Sequence, residues 1–184
     1  MAAYVVLILA VLSRFLPHFL HTPAWGVTAL GGGLLFVGSR WNRDSRRQAI
    51  FAVLAIAISD WILTSRVYGF PFQITAYYLG IWAWYALVCV TASVLLYRRH
   101  TATRIAAAAL ASATGFFLLS NGLVWAEGTM YPHTVAGLTA CYVAGLPFYR
   151  NDVLSTLAVC GILFGLPALA RRLSEASQHG DAII

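Results

Sequence analysis

The sequence contains no lysine. Its twelve basic side chains are all arginine and meet only six acids, so 10% of the 184 residues are charged, against roughly a quarter in a soluble domain. That scarcity, with 60% hydrophobic residues and a mean hydropathy of +0.77, excludes a water-soluble globule. Cysteine is scarce as well. Cys89, Cys141 and Cys160 form no CxxC pair and lie inside apolar stretches, so neither a disulfide framework nor a zinc knuckle is indicated. Catalytic signatures are missing: there is no GxSxG, no HExxH, no GxxxxGK[ST] and no carboxylate pair at helical spacing. No enzymatic activity, resident cofactor or metal is expected.

What is present is a series of long apolar runs. Six can be drawn, at about 2–16, 24–39, 49–65, 74–97, 105–126 and 153–170. At about 20 residues per helical span, six leave only short connections and no room for a soluble domain. The expectation is an all-α membrane protein, a six-transmembrane-helix bundle forming a single domain over 1–184. A further apolar piece, Thr134 to Leu146, is too short to cross a bilayer and is expected to be re-entrant or interfacial. No basic residue precedes the run from Ala2 to Leu12, and Arg14 follows it, which suits a retained first helix better than a signal peptide.

Arginine positions orient the bundle. Arg40, Arg43, Arg46 and Arg47 follow the second run, Arg98, Arg99 and Arg104 the fourth, and Arg171 with Arg172 the sixth, whereas Arg14, Arg66 and Arg150 fall on the other side. The positive-inside rule then places both termini in the cytoplasm. The net charge of +6 becomes a girdle facing anionic headgroups of the lipid bilayer, and nucleic acid is not a partner.

Within the runs a few residues call for a partner. Asp60, beside Ser59, is the one acid read as lying well inside a span; it is a ligand contact or half of an inter-helix ion pair with Arg14 or Arg66. Tyr78, Trp82 and Tyr85 share one face of the fourth run, as a stacking surface or an aromatic belt. Asn121 and Trp125 share a face of the fifth with Thr114, and an asparagine amide there must be satisfied by another helix or by a ligand. Glu127, Tyr131 and His133 lie in the turn that follows. His18 and His21 have the i, i+3 spacing of a metal pair, but Pro17 and Pro23 bracket them in a loop. Cys141 and Tyr142 sit in the short piece; a thiolate or imidazole there would suit a corrinoid or haem as ligand. Small residues at Gly31, Gly32, Gly33 and Gly38, and at Gly161 and Gly165, fit close helix packing.

The run Arg14-Phe15-Leu16-Pro17-His18 with Thr22-Pro23, the pair Ser59-Asp60, Ser120-Asn121 with Trp125, and the stretch from Tyr131-Pro132 through Gly137-Leu138, Cys141-Tyr142 and Pro147-Phe148 to Asn151 together resemble an uncharacterised family of small bacterial integral-membrane proteins. Phe164-Gly165 fits its ending. That family is similar in turn to the S components, the substrate-binding subunits of energy-coupling-factor vitamin transporters. The resemblance implies six helices, cytoplasmic termini in the bacterial inner membrane, and a ligand cavity open to the outside. Two departures stand out. The Ala-x-x-x-Ala face by which S components dock on an energy-coupling module is absent from the first helix, and His21 stands where an Asn precedes Thr-Pro in the family pattern.

The expected function is substrate binding and uptake of a vitamin-like small molecule through a cavity lined by the third to fifth spans. Arg14 and Asp60 would supply charge, Asn121 a polar edge, and Tyr78, Trp82, Trp125 and Tyr142 flat contact. His18, His133 and Cys141 would act as donors or ligands, with Tyr131 beside them. A ligand-free scaffold or accessory subunit, and a haem- or metal-handling protein using His18, His21, His133 and Cys141, are the alternatives.

Overall fold

The computed structural model describes residues 1–20, 27–40, 46–98 and 100–181. They form α1 (Ala2–Leu12), a 3₁₀ turn (Ser13–Phe15), α2 (Leu16–Phe19), α3 (Leu30–Ser39), α4 (Arg46–Ile62) running into a π turn (Leu63–Val67), α5 (Ala76–Leu95), α6 (Ala102–Glu127), α7 (Val135–Cys160), a second π turn (Gly161–Gly165) and α8 (Leu166–Asp181). No strand occurs among the described residues. Five helical stretches are long and apolar enough to cross a membrane: Ala2–Phe19, Ala49–Val67, Ala76–Leu95, Ala102–Glu127 and Val135–Ser177. The fold is that of a multi-pass membrane protein.

The second predicted span differs. Its first residues, 24–26, lie outside the described ones, and α3 begins only at Leu30 and holds ten residues. At 1.5 Å per residue it is about 15 Å long, half the hydrocarbon core. This short helix is instead the centre of the bundle: every residue from Gly32 to Ser39 is buried, and α1, α5, α6 and α7 pack around it. Its glycines are the reason it fits. A Cβ on Gly32 would lie 2.7 Å from Val159 and one on Gly33 2.6 Å from Ala10, so the neighbours already occupy the space a side chain would need.

Gly161 and Gly165 do not share that role. Both sit in the second π turn with nothing within 4 Å of an added Cβ, which corrects their assignment as packing positions.

The piece from Thr134 to Leu146 is likewise not a separate re-entrant or interfacial segment. It is the first half of α7, which runs unbroken through Pro147. Thr134 caps it, its hydroxyl accepting from the Gly137 N–H at 3.2 Å. Pro147 removes one helical donor, a loss that membrane helices tolerate when a neighbour holds the backbone in place. Here α6 is that neighbour: Tyr142 Oη donates to the Leu118 carbonyl at 2.7 Å, and the hydroxyls of Thr114 and Tyr149 are 2.9 Å apart. Arg150, assigned from sequence to a connection, is consequently an exposed mid-helix residue.

At the far end of this bundle the ring of Phe164 packs against Phe36 at 5.4 Å and His100 at 5.5 Å. Partial desolvation of the otherwise exposed ring against Phe164, with Arg40 and Arg171 nearby, holds the His100 pKa below its usual value of 6.5. The folded protein therefore binds fewer protons here than the unfolded chain, and this contribution to stability is lost as pH falls from about 6.5 through the lower folded value. His100→Gln should flatten the decline of Tm between pH 7 and pH 5, measured by thermal unfolding in detergent.

Candidate functional site

The site is built on the turn that ends α1. Ser13 fixes it: its hydroxyl donates to the Ala10 carbonyl at 2.6 Å and accepts from the Ala29 N–H at 2.8 Å, tying the turn to the start of α3. Arg14, next in sequence, is thereby aimed at α4. Its Nη1 reaches the Ser59 hydroxyl and, at 3.4 Å, the Ile56 carbonyl, and its Nη2 forms an ion pair with Asp60 Oδ1. The other carboxylate oxygen accepts from Trp82 Nε1 at 2.7 Å. Asp60 is thus buried with both oxygens engaged, and a carboxylate so bonded holds its cation in place. Of the two partners offered by the sequence, Arg14 is the one used.

Arg14 also borders a cavity of about 250 Å³, slightly under the roughly 300–1,000 Å³ of drug-sized ligand pockets. Two aromatic pairs wall it. Tyr85 of α5 stacks on Phe116 of α6 at 5.6 Å and 17°, and Phe117 of α6 lies 4.8 Å from Tyr149 of α7. Asn121 supplies an amide, with one N–H donated to the Phe117 carbonyl at 2.8 Å. Room for that amide is made by Gly145, where a Cβ would lie 2.5 Å from Asn121 Oδ1. Seven residues further along α7, about 10 Å deeper, Asp152 lines the same cavity beside Gly31 of α3. Its carboxylate accepts one long bond, 3.4 Å, from the Thr156 hydroxyl.

The pattern of a family of unknown function, DUF6580, matches residues 1–178. The chain belongs to that family. No match is found among curated proteins or among solved structures.

The cavity of this DUF6580 protein is lined by the α1 turn, residues 28–31, α5, α6 and α7; of the third to fifth spans expected around it, the fourth (α5) and fifth (α6) line it, while the third (α4) stands behind and contributes the clamp on Arg14. Of the residues singled out from sequence, Arg14, Gly31, Tyr85 and Asn121 line it. Asp60 and Trp82 back Arg14, and Cys141, buried, points its thiol at the Asn121 carbonyl at 3.4 Å. Tyr78 bonds Thr64 at 2.7 Å and packs near Trp82. Tyr142 faces Phe117 and lines a separate shallow apolar hollow between α6 and α7. Trp125 donates to the Pro132 carbonyl at 3.1 Å and meets His133 edge-on, closing the turn that holds Tyr131. His18 packs on Phe19 at the bundle end, and His21 lies outside the described residues. No three His, Cys, Asp or Glu side chains converge among the described residues.

Sequence reasoning missed Asp152. With α7 read as one helix, this acid is a second intramembrane carboxylate, and that continuity was the signal that would have exposed it.

Proposed function

We propose that this DUF6580 protein is a substrate-binding membrane protein for uptake of a small molecule, working in the manner of an S component. Its ligand enters from the outer face of a bacterial inner membrane, and both termini are cytoplasmic, with α3 making a sixth, half-length crossing beside the five long stretches in keeping with the positive-inside rule. The observation that carries the reading is the open cavity of about 250 Å³ bordered by a clamped guanidinium, an amide and a carboxylate. Helices pinned together for scaffolding alone would close their polar side chains on one another. Aromatic walls with a few convergent polar groups are what a small-molecule site requires. The absent Ala-x-x-x-Ala face on the first helix favours action without a shared energising module.

Native mass spectrometry with an absorbance spectrum, on protein gently extracted from its host membrane, tests this. Wild type is expected to carry a non-lipid small molecule, and Ser120→Trp, which fills the cavity, is expected to lose it while keeping its Tm within a few degrees. A visible band would identify the ligand as a corrinoid or haem. Lipid alone, under conditions that keep a known S component loaded, would sink the reading and put a ligand-free scaffold in its place.

A further inference from the structure

The charges around the cavity do not cancel. Arg14 is neutralised by Asp60, whose two oxygens are both engaged. Asp152 has no such partner: it lines the cavity with a single hydroxyl contact, deep in a helix otherwise apolar enough to span a bilayer. The amino end of α3, at Leu30 and Gly31, also borders the space, and its partial charge of about half a unit offsets Asp152 only in part. A carboxylate in such surroundings draws a positive group toward it. The rest of the lining fits that demand. Five aromatic residues, Tyr85, Phe116, Phe117, Phe148 and Tyr149, line the cavity, and aromatic rings attract cations and stack on flat ligands; the Asn121 side-chain oxygen, met by the Cys141 thiol at 3.9 Å, accepts one more donor.

We propose that the cavity takes a small organic cation, a flat ring carrying a protonated nitrogen, with the ring against the Tyr85–Phe116 and Phe117–Tyr149 pairs and the nitrogen on Asp152. This rests on the reading of the cavity as a binding site and names the charge class of its ligand. Asp60 then acts as a positioning residue for Arg14, and Asp152 selects.

The test uses two probes with the same ring and opposite charge, tryptamine and indole-3-propionate, titrated into the full-length protein in detergent and followed by calorimetry and thermal shift. Tryptamine is expected to bind wild type at least about tenfold more tightly than indole-3-propionate. Asp152→Asn keeps the shape and the Thr156 contact; it should hold or raise the Tm of the unliganded protein while weakening tryptamine at least about thirtyfold, as loss of one partner of a buried charge pair does. Asp152→Glu should retain part of the binding. Equal affinity for the two probes, preference for indole-3-propionate, failure of both to bind, or tryptamine binding unchanged in Asp152→Asn would each overturn the proposal. The wild-type comparison alone decides it should the variant not fold. A co-purified ligand that proves anionic or neutral would refute the charge class while leaving the binding reading intact. Absence of any bound small molecule, with neither probe binding, would remove both.

Discussion

Asp60→Ala is expected to cost about 3–5 kcal/mol of stability, and Arg14→Ala a similar amount, because each leaves a charge buried without its partner. The clamp is specific enough to predict what repairs the loss. Arg14→Met combined with Asp60→Leu removes both charges and should return unfolding in detergent to within about 1–2 kcal/mol of wild type, since a buried pair contributes little beyond what a well-packed apolar pair would. Arg14→Lys should not repair it. An ammonium cannot reach Asp60, Ser59 and the Ile56 carbonyl together as the planar guanidinium does. Trp82→Phe should be milder, losing one hydrogen bond to a charged group, about 1.5–3 kcal/mol. In Asp60→Ala, which leaves the Arg14 charge uncompensated at the edge of the cavity, occupancy by a cationic ligand should fall, because Arg14 also borders that space. Strict additivity of the two single losses in the double variant would show that the residues are not an energetic unit.

Legibility in the sequence followed where each residue's surroundings come from. Arg14 and Asp60 were readable because charge in an apolar run has few possible partners, and the partner found was one of the two the spacing allowed. Asn121 was readable for the same reason. Asp152 was not, because Pro147, Arg150 and Asn151 beside it look like a connection; only the pairing of α7 with α6, through Tyr142, Tyr149 and Cys141, keeps the backbone helical there, and that support comes from another part of the chain. The cavity walls were invisible for a different reason. Phe116 and Phe117 look like any lipid-facing or packing aromatics in a span, and their meeting with Tyr85 and Tyr149 is set by how three helices turn toward one another. The short central helix was misjudged in length because hydropathy measures composition, whereas α3 starts where Ser13 ties it down.

That central helix sets the other large expectation. Gly38→Val should lower stability by at least about 3 kcal/mol or prevent accumulation of folded protein, read from the yield and unfolding of the purified variant. A Cβ there would fall on the backbone carbonyl of Cys89 and within 2.8 Å of the Ala92 methyl. Neither is the movable end of a long side chain, and α3 has no direction of retreat, being packed by α1, α5, α6 and α7. Gly161→Ala, with nothing within 4 Å, should be neutral or stabilising by up to about 1 kcal/mol. The contrast separates a packing requirement from a general intolerance of glycine loss, and equal tolerance of both substitutions would mean that α3 is not seated on α5. Because the other end of α3 carries Leu30 and Gly31 at the edge of the cavity, a helix pushed off α5 moves the floor on which Asp152 and Thr156 sit. Gly38→Ala, the smaller insult, should therefore weaken ligand binding even in the fraction of protein that still folds.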